Sequence, residues 1–140
     1  MNFHIKSIIF SNTTKIVVVF GTRPEAIKLI PLIKELKSNK NFSCITINTG
    51  QHKEMIHQIL KSFNMDASID YNLELMEKNQ SLPQLTSKLM LELDKKYSLI
   101  NPDAIIVQGD TTTSYISSLC AFYHKIIYIL HLLIGQQVIF

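Results

Sequence analysis

An α/β fold built on an open parallel sheet is the architecture this chain predicts, and three observations predict it. Short β-branched runs alternate with longer amphipathic segments along nearly the whole sequence. Two of the runs, Lys15-Ile16-Val17-Val18-Val19-Phe20 and Ala104-Ile105-Ile106-Val107, are almost continuously apolar, as strands covered on both faces are. Both lead into unusual turns, Gly21-Thr22-Arg23-Pro24 and Gly109-Asp110-Thr111. With 140 residues and 46% apolar content, the length suits one domain with ample material for a core.

The first strand, Lys15–Phe20, leads to a helix from about Pro24 to Lys37 that opens on proline. Pro31 lies inside that helix and is expected to kink it or split it. Strand Phe42–Asn48 precedes a helix from about Lys53 to Phe63, and a short strand follows near Tyr71–Leu73. The long helix, roughly Ser81 to Leu99, carries Leu82, Leu85, Leu89, Leu93 and Tyr97 as one apolar stripe. Asn101-Pro102 ends it, because the residue before proline avoids helical angles. Strand Ala104–Val107 feeds a helix from about Thr112 to Tyr123, and Ile126–Leu130 reads as a fifth strand. Residues 1–14 read as an N-terminal extension, 15–126 as the sheet domain and 127–140 as an apolar tail.

Composition excludes several classes. The net charge of +3 is small, and Lys34, Lys37, Lys40, Lys53, Lys61, Lys95 and Lys96 are scattered as solvated helix faces, so no nucleic-acid partner is expected. Cys44 and Cys120 show no metal spacing, and the carboxylates show no ligand pattern, so no metal is expected. The apolar stretch Ile126–Ile134 is far short of the ~20 residues that span a bilayer. No signal-peptide core stands at the N-terminus, and the expectation is a cytoplasmic chain without a membrane partner.

Ligands of open parallel sheets bind beyond the carboxyl ends of the strands, where strand order reverses. With the order 3-2-1-4-5, the turns after the first and fourth strands face one another there. Pro24 is expected to hold Arg23 out of helical geometry, leaving its guanidinium as a planar fork for a diphosphate or carboxylate. Lys28 is placed to reach the same anion. The alternative pairs Arg23 with Glu25 or Asp110 on the surface. Asp110 either caps the following helix, as Thr111 also could, or stands free to hold a sugar hydroxyl or move a proton. Thr112 and Thr113 add hydroxyls, and the helix N-terminus adds amide donors. After the second strand, His52 of Thr49-Gly50-Gln51-His52 either caps locally or reaches a ligand. His4, His57, His124 and His131 lack partner spacing. The first turn is not GxGxxG, which argues against a dinucleotide.

Together, FGTRPEAIKLIPLIKEL, TGQHKEMI, PDAIIVQGDTTT and SSLCAFYHKI resemble the non-hydrolysing UDP-N-acetylglucosamine 2-epimerases from about Lys15 to Ile126. The resemblance implies the Rossmann-like N-terminal domain, here partial, of a glycosyltransferase-B-like two-domain fold, usually a homodimer. It implies interconversion of UDP-GlcNAc and UDP-ManNAc for bacterial surface polysaccharides, by elimination of UDP and re-addition with C2 inverted, without metal or redox cofactor. By position, Arg23 and Lys28 match the family's basic active-site residues, and Asp110 matches an aspartate proposed as acid or base. Gln51, His52 and Glu54 fall where bacterial members bind a second, activating UDP-GlcNAc.

Beyond Ile126 the family continues with a His-x-Glu-Ala-Gly-Leu-Arg signature whose glutamate is catalytic, whereas this chain reads IYILHLLIGQQVIF. A shifted reading frame is one explanation, since freely chosen codons for Ile134–Phe140, read from each third base, can spell Arg-Thr-Thr-Gly-Asn-Ile. The expectation is a truncated chain, inactive and poorly soluble alone. Its rival role is a non-catalytic fragment that binds nucleotide sugar or pairs with a missing C-terminal half.

Overall fold

The computed structural model describes residues 13–50, 53–64 and 69–131, with backbone alone for 53–55. Its elements are β1 (Thr14–Phe20), α1 (Arg23–Ser38), β2 (Phe42–Asn48), α2 (Lys53–Ser62), β3 (Tyr71–Asn72), α3 (Leu82–Ile100), β4 (Ala104–Gln108), α4 (Thr112–Tyr123) and β5 (Ile127–His131). The strands form one parallel sheet in the order β3-β2-β1-β4-β5. The reversal therefore lies between β1 and β4, as the sequence predicts.

Alternation along the strands divides the interior into two layers. Val17 and Val19 join Ile105, Val107, Leu89, Leu93 and Tyr97 beneath α3 and α4. Ile16, Val18 and Phe20 face the other way and meet Leu29, Ile30 and Ile33 of α1 with Ile56 and Ile59 of α2. Val17 pairs with Ile45 on one side and Ile105 on the other, so the centre of the sheet is dry on both faces. Each such fully buried side chain contributes about 1.5–3 kcal/mol. Among the described residues, no helix is long and apolar enough to cross a membrane.

Helix starts follow local chemistry. Thr22 caps α1 and Ser81 caps α3, each in a reciprocal box with the residue three further on, Glu25 and Gln84. Pro24 occupies the first turn of α1, where its missing amide costs nothing. Arg23 is the first residue of α1, not outside helical geometry as the Pro24 rule predicted. The capping box fixes the turn at Thr22 and outweighs the local preference of a pre-proline residue.

Two expectations about the helices change. α1 runs unbroken from Arg23 to Ser38 despite Pro31, which lies on its exposed side, where water can serve the carbonyl of Ile27. Leu82 leaves the apolar stripe: it opens α3 at 67% exposure, whereas Leu89, Leu93, Tyr97 and Ile100 are buried. Asn101 ends α3 in the left-handed region (φ 50°, ψ 63°), its amide donating to the Tyr97 carbonyl. β5 continues the sheet to His131, past residue 126, yet Ile127, Tyr128, Ile129 and Leu130 are all exposed.

Candidate functional site

The turns that follow β1, β2 and β4 converge at the carboxyl rim of the sheet, and buried polar groups hold them together. Glu25, in the first turn of α1, is 2% exposed. Its Oε2 accepts the amides of Gly21 (2.6 Å) and Thr22 (2.9 Å), and its Oε1 accepts the hydroxyl of Thr111. One carboxylate thus ties the turn after β1 to the turn after β4. A second tie runs between the Thr49 and Thr113 hydroxyls, 3.0 Å apart. Asn48 accepts the Gly50 amide and donates to Asn72, joining the ends of β2 and β3.

Glycine is required at Gly21 by space. A Cβ there would stand 2.5 Å from both the Thr49 and Thr113 hydroxyl oxygens. At Gly109 the reason is conformational: φ is +79°, although nothing crowds the position. Ser114 then donates to the Gly109 carbonyl at 2.9 Å, and Thr111 caps α4 by accepting the Ser114 amide.

This arrangement decides several alternatives. Thr111 caps α4, so Asp110 is left exposed at the rim with no capping duty. Glu25 turns inward, so it is not the surface partner of Arg23. Arg23, Lys28 and Asp110 form no ion pair or side-chain hydrogen bond with any described residue. Two uncommitted charges of opposite sign, Arg23 and Asp110, therefore stand exposed on neighbouring turns of one rim. Lys28 is half-buried, five residues beyond Arg23 and so about 140° round α1. It shares a ligand with Arg23 only by leaning its long side chain back toward the helix start. Thr112, also half-buried, begins α4 beside Asp110.

Thr113 is corrected. Expected at the substrate, it is 1% exposed, with its hydroxyl engaged by Thr49. Position two of a helix points inward here because Ile116, Cys120 and Ala121 make that face the core. Gln51 and His52 lie outside the described residues, as does the side chain of Glu54, whose backbone opens α2. His57 is exposed, and His4 lies outside the described residues.

Glu25, Thr111 and Thr49 are rim residues that motif reading missed as a unit. The Thr22–Glu25 spacing is a capping-box signal, but its link to Thr111 depends on strand order. His131 was also missed. It ends β5 on the same rim, pairs in register with Gln108, and has a buried Nδ1 without a partner among the described residues. A groove of about 630 Å³ runs from Asp110 along Tyr115 and Phe122 of α4 to Tyr128 and Leu130 of β5. Burial pushes the Cys44 and Cys120 thiols up to about 11, which suits neither to nucleophilic work at neutral pH.

The family model for UDP-N-acetylglucosamine 2-epimerase matches residues 34–136. The UDP-N-acetylglucosamine 2-epimerase of Bacillus subtilis is 43% identical over 112 residues, covering 80% of this chain and 29% of that protein. The enzyme of the same name from Neisseria meningitidis is 44% identical, covering 80% and 30%. A crystal structure of the Neisseria meningitidis enzyme bound to UDP-GlcNAc superposes with a TM-score of 0.77 and 42% identity, over 84% of this chain and 31% of that one. The chain thus spans about 30% of the length of the curated relatives it matches.

Proposed function

The chain belongs to the UDP-N-acetylglucosamine 2-epimerase family, and from that premise we propose that its rim is the N-terminal wall of a UDP-sugar site for interconversion of UDP-GlcNAc and UDP-ManNAc. The observation that carries the reading is the double role of the two turns. Glu25 locks them to each other from inside, while Arg23 and Asp110 remain uncommitted outside. Arg23 supplies a permanent fork for the diphosphate, and the amides at the start of α1 add donors. Asp110 would repel phosphate, so it belongs toward the sugar, where it accepts a hydroxyl or moves a proton. Thr112 and Lys28 are secondary contacts, and Thr113 positions the turn from beneath. Gln51, His52 and Glu54 are proposed for a second UDP-GlcNAc by resemblance alone.

Elimination of UDP needs a base, a clamp on the leaving group and a dry cleft. A chain spanning about 30% of its relatives carries one wall of such a cleft, so these 140 residues bind without measurable turnover alone. Titration with UDP-GlcNAc tests binding, and deuterium exchange at sugar C2 tests chemistry. Arg23→Ala is expected to weaken binding about tenfold to a hundredfold, the loss of a charge-assisted contact of ~1.5–3 kcal/mol. Asp110→Asn is expected to weaken it less and leave stability within about 0.5 kcal/mol. Equal affinity in parent and Arg23→Ala would remove the diphosphate assignment.

A second reading rests on β5. Its exposed strand favours a role as a pairing fragment that completes a site with another polypeptide, either a second protomer or a C-terminal half.

A further inference from the structure

Away from the rim, α3 and α4 bring together a set of side chains with metal-ligand chemistry. Cys120 lies in the last turn of α4 and His124 caps that helix one turn further on, its amide donating to the Cys120 carbonyl, so both side chains share one side of its carboxyl end. Asp94 meets them from α3. Its Oδ1 lies 2.7 Å from His124 Nε2, and those two atoms and the Cys120 Sγ all lie within 4.8 Å of one another. Tyr97 holds the imidazole edge-on, with ring centres 6.0 Å apart at 84°, and its hydroxyl reaches the Ser117 carbonyl. The ring is therefore oriented before any ligand arrives. The cluster sits at the carboxyl end of α4, the end at which the helix dipole favours a cation. α4 is 12 residues long, about 18 Å, so the cluster is separated by that length from the rim that carries Arg23 and Asp110.

We propose that Asp94, Cys120 and His124 bind a zinc-type divalent cation, with water as the fourth ligand. One sulfur, one nitrogen and one carboxylate oxygen form a borderline-soft donor set that suits zinc and not magnesium or calcium. Metal–ligand bonds of ~2.0–2.3 Å require donor atoms about 3.5 Å apart in a tetrahedron. The Asp94 side chain is 60% exposed and free to open its contact with His124 by the small distance needed. On binding, the Cys120 thiol proton leaves to solvent, and the His124 Nε2 proton that Asp94 accepted passes to Nδ1 or, from an imidazolium, to solvent. The sulfur–metal and nitrogen–metal bonds form with no redox change. The cation then replaces one hydrogen bond between α3 and α4 by bonds to both helices. Spacing along the chain gave no sign of this set, since Asp94 and His124 are 30 residues apart and meet only through helix packing.

Cobalt(II) is the probe, titrated into the full chain with circular dichroism confirming that each variant is folded. The parent is expected to develop thiolate-to-cobalt absorption in the near ultraviolet, which zinc then displaces. Cys44→Ser is expected to retain that band and Cys120→Ser to lose it. Asp94→Asn and His124→Gln, both conservative in shape, are expected to weaken zinc binding more than about 100-fold, beyond what losing a group outside the coordination sphere costs. A parent that develops no band, or a folded Cys120→Ser or His124→Gln chain that binds as the parent does, would overturn the proposal.

Discussion

Glu25 accepts hydrogen bonds from both turns of the rim while it is almost wholly buried, so its replacement leaves donors on two elements without partners. Glu25→Gln keeps the shape but presents a donor where an acceptor is needed. It is expected to cost about 1.5–3 kcal/mol, read as a lower urea midpoint at unchanged slope. A change within experimental scatter would mean that the carboxylate does not hold the turns. The exposed places of Arg23 and Asp110 on neighbouring turns were legible in the sequence, because glycine turns after apolar strands mark the carboxyl edge of a sheet. Glu25 enters the sequence reading only as an alternative surface partner of Arg23, because nothing in Thr22-Arg23-Pro24-Glu25 announces that Thr111 will stand above it. The same gap explains Thr113, whose hydroxyl was assigned to a ligand although Thr49 takes it.

At the scale of elements, periodicity placed the strands and helices to within a residue or two at most ends. The departures fall where one local rule opposed another. Arg23 is helical because the Thr22–Glu25 box outranks a pre-proline preference, and α1 survives Pro31 because the lost bond faces water. The packing of α1 on β2 also has a pH signature. Cys44 of β2 lies against the α1 and α2 layer, and burial raises its thiol from 9.0 to about 11, with Lys37 opposing and Asp70 reinforcing the shift. The folded chain therefore holds this proton more tightly than the unfolded chain does. Its contribution is complete below pH 9 and is lost as pH rises toward 11. Denaturation midpoints are expected to fall across that window, and less steeply in Cys44→Ala. A slope that Cys44→Ala leaves unchanged would place the titration elsewhere.

At the scale of the whole molecule, the sheet is dry at its centre and exposed at one edge. Among the described residues β5 pairs with β4 alone, and its apolar residues Ile127 to Leu130 are 47–68% exposed, where a parallel sheet ordinarily buries both faces. The chain is accordingly expected to self-associate at micromolar concentration, and Ile129→Lys to shift sedimentation toward the monomer. A parent that sediments as a monomer throughout would show that this edge is inert. The parallel order was legible because alternation and turn chemistry agree along the chain. The exposure of β5 was legible too, because a fifth strand followed by sequence that departs from the family pattern leaves an apolar run at the edge of the sheet.

The proposed function requires the turns after β1 and β4 to form one ligand-binding rim. Amide shift mapping of the 140-residue chain during titration with UDP-GlcNAc tests it most directly. Gly21 to Ala26 and Gly109 to Ser114 are expected to shift together, with one common dissociation constant. Saturable shifts confined to one turn, or binding that leaves both unmoved, would contradict it.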